Sequence, residues 1–363
     1  MSRRSQVALA ASITSAVVAG GLAAARIRVH KQRQRADPAT IARLTGPLPY
    51  DRAYEVIAED GVPLHVEELG PVDAPLTVVF VHGLVCTSQA WVFQREALAS
   101  QTTGARPVRL VFYDQRGHGR SGRPKPEHTG IDVLGRDLGQ VVEALKPAGS
   151  VLLAGHSMGG MTVLALAGQR PDLFGAGGLV SGVALLSTSP GKVGSAALGV
   201  PTAVANLTNR VLPRTSSALA RLGDRMGDRV ELLRPRGDFT WLLSKHVAFG
   251  GKVDPAVVEL MDSMIAQAPL ATSAGFSAAV LEHDKLAVLP VFGDIPMLVM
   301  VGSADLITPL DHSEAIAEAL PAATFVVVPG CGHMIMLEAP DETTAELRTL
   351  IRRAWPATGK MSR

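Results

Sequence analysis

Gly155-His156-Ser157-Met158-Gly159 stands directly after the apolar run Val151 to Ala154 and directly before a helical pattern. A serine hydroxyl is a poor nucleophile until a base takes its proton, and it must be presented where a substrate can reach it. The two glycines have the spacing of a sharp strand-to-helix turn that carries a serine at its tip. Gly155 and Gly159 remove side chains where such a turn would clash. Ser157 is then pushed out near the amino end of the following helix, where the dipole and free N–H groups favour negative charge. An acid and a base follow downstream: Asp305 closes Val301-Gly302-Ser303-Ala304-Asp305, and His333 closes Pro329-Gly330-Cys331-Gly332-His333. Singly, Asp305 also reads as a turn or cap residue before Pro309, and His333 as a loop histidine. In the order Ser, Asp, His they predict a nucleophile, an orienting acid and a general base. His82-Gly83-Leu84 adds a fourth part. A turn at Gly83 lets the Leu84 N–H, joined by that of Met158, point at the oxygen of a bound carbonyl as an oxyanion hole.

These residues need elements that bring them to one place. Val56 to Glu59 and Leu64 to Glu68 flank Asp60-Gly61 and read as a hairpin. Apolar runs recur at Leu76 to Val81, Val108 to Tyr113, Val151 to Ala154, Leu179 to Leu186, Met297 to Val301 and Phe325 to Val328. Helical patterns such as Val133 to Leu145 and Met158 to Leu166 lie between them. Strands apolar on both faces, alternating with helices, predict a mostly parallel sheet covered by helices, an α/β fold. In such a sheet the strand carboxyl ends share one edge, so Ser157, Asp305 and His333 converge there. The roughly hundred residues between Leu186 and Met297 are too many for a loop. Their helical patterns, Ser216 to Asp224, Phe239 to Val247, Pro255 to Gln267 and Ala271 to Leu281, predict a helical cap. Seven arginines from Arg210 to Arg236, set against Asp224, Asp228 and Glu231, read as a solvated cap face. Trp91 and Trp241 read as core or cap packing.

From about residue 54 to 355 the chain resembles the α/β-hydrolase fold superfamily. The resemblance rests on His82-Gly83, on Asp114-Gln115-Arg116-Gly117-His118-Gly119-Arg120-Ser121, on Gly155-His156-Ser157-Met158-Gly159-Gly160, and on Asp305 and His333. It implies an eight-stranded sheet whose second strand is antiparallel, with the cap inserted between core strands 6 and 7. It also implies structural roles for Arg116 and His118. Members with an aspartate at the elbow open epoxides or cleave carbon–halogen bonds, and Ser157 argues against both. With serine, the resemblance implies attack on a carbonyl, an acyl-enzyme and its hydrolysis through His333. The chain looks like the carboxylesterase and monoacylglycerol lipase branch, which implies an ester with an apolar or lipid-like acyl group. Amidase, thioesterase, C–C bond hydrolase and cofactor-free haloperoxidase-like activities use the same triad and stay open. A non-catalytic ligand-binding relative is the reading from a different class.

The remaining sequence bounds partners and place. At 363 residues, 47% hydrophobic and 19% charged, the chain is expected to build a large core. Cys86 and Cys331 are expected as free thiols, and ten scattered histidines suggest no metal; no cofactor is expected. The first 35 residues hold seven basic and no acidic side chains, leaving 28 basic against 33 acidic, a net of −5, for the rest. A basic head on a mildly acidic body does not suit nucleic-acid binding. Val7 to Ala25 is an uncharged stretch of roughly 28 Å as a helix. With the basic cluster Arg26 to Arg35 behind it, it is expected to anchor the protein to a membrane with the body on the cytoplasmic side. A cleaved export signal, with Ser2-Arg3-Arg4 ahead and Ala23-Ala24-Ala25 at the cut, is the alternative. A third alternative is an Ala-rich helix lying on the membrane or on the domain. The expected layout is a head at 1–35 with its span at 7–25, a linker at 36–53, core at 54–188, cap at 189–292, core again at 293–356 and a tail at 357–363. Nothing in the sequence sets an oligomeric state.

Overall fold

In a computed structural model of the chain, the residues described are 29–175, 177–191 and 237–355. The elements run α1 (Pro38–Thr45), β1 (Arg52–Ile57), β2 (Pro63–Leu69), β3 (Leu76–Val81), α2 (Val92–Leu98), β4 (Val108–Tyr113), α3 (Ile131–Leu145), β5 (Ser150–His156), α4 (Met158–Gln169) and β6 (Val180–Leu186). After the cap helices α5 (Asp238–Ala248), α6 (Pro255–Gln267) and α7 (Leu270–Glu282) come β7 (Met297–Gly302), α8 (Leu310–Ala319), β8 (Thr324–Val328), α9 (Ile335–Glu338) and α10 (Pro340–Ala354). One eight-stranded sheet has the order β1-β2-β4-β3-β5-β6-β7-β8. β2 is antiparallel to both of its neighbours and every other pairing is parallel, as the resemblance implies.

The burial pattern follows from the strand sequences. β3, β4 and β7 are buried at every position, because apolar residues dominate both faces and the charged exception, Arg109, pairs with Glu68. Val78, Phe80, Leu110, Phe112 and Leu152 pack into one apolar layer, while Val79, Val81, Val111, Tyr113 and Leu153 pack into the other. The edge strands β1 and β8 alternate instead between exposed and covered side chains.

Segment 36–53, expected as a linker, is structured. Asp37 caps α1 by accepting from the N–H groups of Ala39 and Thr40, Pro38 opens the helix, and β1 begins at Arg52. Eight residues with a single fully buried side chain, Leu44, give too short a period to read as a helix. The helix is stabilised by packing on α6. Just before it, Arg33 forks onto Glu259 of α6 at 2.7 and 2.9 Å, with Asp238 and Asp262 each at 3.7 Å.

The cap is inserted between β6 and β7 as expected. Its two stems meet at the Gly191–Asp284 bridge, where the Lys285 N–H also donates to Pro190 O at 2.6 Å. The expected helix Ser216 to Asp224 and the arginine-rich stretch lie outside the described residues. Trp91 and Trp241 are fully buried, as packing residues should be. Among the described residues no single helix is long and apolar enough to cross a membrane. α6 and α7 reach that length only together, bent by 101°, and they bury Val258, Leu260, Met264 and Phe276 within the protein. The expected span at 7–25 lies outside the described residues.

Candidate active site

Ser157 sits between β5 and α4 at φ 53°, ψ −121°, a conformation that side chains rarely adopt. The turn is forced by close approach. A Cβ on Gly155 would lie 2.6 Å from the Gly159 carbonyl oxygen, and one on Gly159 would lie 2.1 Å from the Val81 carbonyl oxygen. The Ser157 N–H donates to Leu186 O at 3.0 Å. Its carbonyl accepts from the N–H of Gly160 and from the Thr188 hydroxyl at 2.9 and 2.7 Å. The serine is thus held from both sides and remains 8% exposed.

Asp305 and His333, from the loops after β7 and β8, meet at the same edge. His333 Nδ1 lies 2.9 and 3.1 Å from the two Asp305 carboxylate oxygens. A carboxylate only accepts, so Nδ1 carries the proton and Nε2 is left as the basic nitrogen. Asp305 Oδ1 also accepts from the N–H groups of Ile307 and Thr308, and Oδ2 accepts from the Thr308 hydroxyl. Burial pushes this carboxyl upward, but the His333 imidazole and these donors outweigh it and hold Asp305 below the ordinary aspartate range. His156, the residue before the serine, places its ring 4.8 Å from that of His333, and its Nε2 donates to the His333 carbonyl at 3.0 Å. Burial, then the neighbouring His333, pushes the His156 imidazole down to about 3, so it stays neutral beside the pair. The nucleophile strand and the His333 loop are thereby tied together.

The turn after β3 abuts the serine, since a Cβ on Gly83 would lie 3.1 Å from Ser157 Cβ. The Gly83 carbonyl accepts from His82 Nδ1 at 2.8 Å and from the Cys86 N–H at 3.3 Å, closing a tight turn through Val85 at φ 54°. Met158 opens α4, so its N–H is one of the helix donors without an intrahelical acceptor. The Leu84 N–H has no acceptor among the described residues either. The Leu84 and Met158 side chains share an apolar cluster with Met161, Ile131 and the cap residues Phe276, Ala279 and Val280. The arrangement can hold a carbonyl carbon near a serine oxygen, two amide donors near its oxygen, and a histidine ready to take a proton.

All nine expected positions, Ser157, Asp305, His333, Leu84, Met158, His82, Gly83, Gly155 and Gly159, therefore lie at one end of the sheet. Arg116 is structural as expected: it binds Asp137 through two nitrogens at 2.5 and 2.6 Å and also grips Asp60. His118 is buried between His82 and Phe276. Three residues of the site carry little sequence signal. Thr308 has only its three-residue spacing from Asp305, which suits a local side-chain-to-backbone turn. Gln115 and His156 act on residues far along the chain. Cys86 is buried in the core, where burial pushes its thiol up to about 12. Among the described residues no group of three His, Cys, Asp or Glu side chains is arranged to hold a metal ion.

The sequence pattern of the α/β hydrolase fold matches residues 77–340, more than half of the chain, and the chain belongs to that family. It is similar to the dihydrolipoyllysine-residue acetyltransferase component of an acetoin cleaving system from Pseudomonas putida, at 27% identity over 83% of this chain and 66% of that protein. It thus spans just under two thirds of that relative's length. An sn-1-specific diacylglycerol lipase of Mus musculus is 26% identical over 74% of this chain and 79% of its own. A thermophilic esterase from Thermogutta terrifontis superposes with a TM-score of 0.61, at 26% identity, covering 84% of this chain and 100% of that one.

Proposed function

We propose that this protein is a serine hydrolase that cleaves carboxylic esters through an acyl-enzyme on Ser157. The supporting observation is the convergence of a strained serine at a helix start with a histidine whose Nδ1 is bound by a carboxylate at 2.9 Å. Ser157 Oγ attacks the carbonyl carbon while His333 Nε2 takes its proton, and the tetrahedral oxyanion rests on the N–H groups of Leu84 and Met158. His333 returns the proton to the leaving alcohol. It then activates the water that splits the ester of Ser157, releasing the acid. Asp305 holds the imidazole in the required tautomer and balances its transient charge. The relatives named as a lipase and an esterase fit this reading.

An apolar acyl group is the favoured substrate class. Leu84 and Met158, whose N–H groups are the two oxyanion donors, belong to one apolar cluster with Met161 and Phe276, and Ala279 and Val280 of the cap pack against it. The test is a chain-length series of p-nitrophenyl esters together with labelling by a fluorophosphonate. Wild type should label and turn over, with longer acyl chains preferred, and Ser157→Ala should do neither. Equal labelling of the two proteins removes the serine-hydrolase reading, and a flat chain-length profile removes the apolar preference.

The head is proposed to tether the body to the cytoplasmic face of a membrane. Its charge pattern supports this, and Arg33 hooks the arm that follows the expected span onto the cap. Removal of residues 1–25, which leaves Arg33 in place, should release the protein from the membrane fraction. Unchanged fractionation refutes the anchor.

A further inference from the structure

We infer that Gln115 is a positioning residue for the oxyanion hole: from behind the turn its backbone N–H fixes the His82 ring while its side chain holds the His82 carbonyl, and together they set the direction of the Leu84 N–H. The inference rests on the serine-hydrolase reading above.

Gln115 follows β4 and is 1% exposed. It grips His82 twice. Its Nε2 donates to the His82 carbonyl at 2.6 Å, and its backbone N–H donates to His82 Nε2 at 2.9 Å. A backbone N–H can only donate, so His82 Nε2 must be the bare, accepting nitrogen and the ring proton must sit on Nδ1. His82 Nδ1 lies 2.8 Å from the Gly83 carbonyl oxygen, to which its N–H donates. In a trans peptide the carbonyl and the next N–H point in opposite directions. A Gly83 carbonyl drawn back toward His82 therefore aims the Leu84 N–H forward, toward the side where Ser157 Cβ packs against Gly83. The turn resists this arrangement, since Val85 is β-branched and sits at φ 54°. The donors on the Gly83 carbonyl hold it there. His82 is fully buried, and burial keeps its ring neutral, so one tautomer persists.

The other end of the same amide reaches the second donor. Gln115 Oε1 accepts from the Thr162 hydroxyl at 2.8 Å, and that hydroxyl lies 2.9 Å from the carbonyl oxygen of Met158. Thr162 stands one turn into α4, the helix that Met158 opens. The amide orientation is dictated by its neighbours, because the carbonyl of His82 requires a donor and the hydroxyl of Thr162 supplies one. One buried glutamine thus spans from the turn that carries Leu84 to the helix that carries Met158. An amide donor aimed at an oxygen that becomes charged only during reaction stabilises the transition state more than the bound substrate. Losing its aim should lower kcat and leave KM nearly unchanged.

The test uses the full chain and p-nitrophenyl ester hydrolysis. Wild type against Ser157→Ala checks the underlying reading, and equal rates of those two remove that reading and this inference together. Gln115→Met keeps the shape and removes both hydrogen bonds of the side chain. It should lower kcat about 10- to 100-fold with KM within about twofold. Thr162→Val, which leaves Gln115 itself intact, should lower kcat by about 3- to 10-fold. The double variant should be no worse than Gln115→Met, because both act through one chain of bonds. Gln115→Glu supplies a pH readout: the carboxylate cannot donate to the His82 carbonyl, whereas the protonated acid can. Its kcat relative to wild type should rise as pH falls from 8 to 6. Asp114, His118 and His156, the other titratable groups against His82, are the same in every variant. If Ser157→Ala is inert while Gln115→Met keeps kcat within twofold of wild type, the inference is overturned. Should Gln115→Met not fold, additive losses in Thr162→Val with Gln115→Glu, or a pH-independent ratio for Gln115→Glu, overturn it equally.

Discussion

Thr308 holds both oxygens of Asp305, its N–H donating to Oδ1 at 2.9 Å and its hydroxyl to Oδ2 at 3.0 Å. The same hydroxyl lies 3.3 Å from His333 Nδ1, so one side chain bridges the acid and the base. A buried carboxylate needs such donors to remain charged. Thr308→Val keeps the backbone bond and loses the hydroxyl. It should reduce kcat for a p-nitrophenyl ester by about 3- to 10-fold, the worth of one hydrogen bond, while Thr308→Ser stays near wild type. Equal activity in Val and wild type would show the hydroxyl to be idle.

Asp305→Asn reverses a donor–acceptor match. An amide nitrogen facing Nδ1 favours the tautomer whose proton sits on Nε2, where it cannot accept from Ser157. Turnover should fall by on the order of 10³- to 10⁴-fold with the fold intact by circular dichroism. A loss under tenfold would assign the acid role to another group.

Two glycines on neighbouring helices should respond oppositely to alanine. A Cβ on Gly159 would meet the carbonyl oxygens of Val81 and His82 at 2.1 and 2.7 Å, and backbone at a strand end cannot retreat. Gly159→Ala should cost about 3 kcal/mol or more, or abolish folding. A Cβ on Gly139 of α3 meets only a Leu166 methyl at 3.2 Å. Gly139→Ala should be neutral or stabilising by up to about 1 kcal/mol from helix propensity. Urea unfolding midpoints of the two variants decide the matter.

Stability should fall as the solution is acidified. Burial, then the neighbouring His82, pushes His118 down to about 3. Burial and nearby His333 do the same for His156, also to about 3, and burial with Lys285 takes His283 down to about 4. Below about pH 6.5 the unfolded chain binds protons that the folded chain refuses. The contribution of these rings is therefore complete above pH 6.5 and is lost progressively as pH falls toward 3 to 4, each by up to about 1.4 kcal/mol per pH unit. Urea titrations at pH 7.0 and 5.5 should show the loss, and His118→Gln should shrink it. A pH-independent midpoint over that range would contradict the burial of these rings.

Arg33 ties the N-terminal arm to Glu259, Asp238 and Asp262 of the cap. The bonds are charge-assisted but partly exposed, so Arg33→Gln should cost about 1 kcal/mol or less, diminishing at high salt. The loss should be local. Amide exchange should quicken in α5 and α6 and stay unchanged in β3 to β7, whereas uniform quickening would assign Arg33 to global stability.

The residues that meet at this sheet edge were legible in the chain because their placement depends on local geometry. Gly155 and Gly159 around Ser157, and Gly83 before Leu84, are needed by turns whose constraints act over a few residues. Apolar runs on both strand faces specify a buried parallel sheet, and the sheet brings the ends after β5, β7 and β8 to one edge. Short or cooperative elements were not legible. The helix Pro38–Thr45 forms because α6 lies against it, and its sequence holds too few apolar residues to show a period. Only the tertiary structure determined that Thr308 spans Asp305 and His333, that His156 binds the His333 carbonyl 177 residues away, and that Gln115 sets the ring of His82 across 33 residues. A hydroxyl, an imidazole or an amide has no periodicity in sequence. Its role is decided by the donor or acceptor that folding places against it.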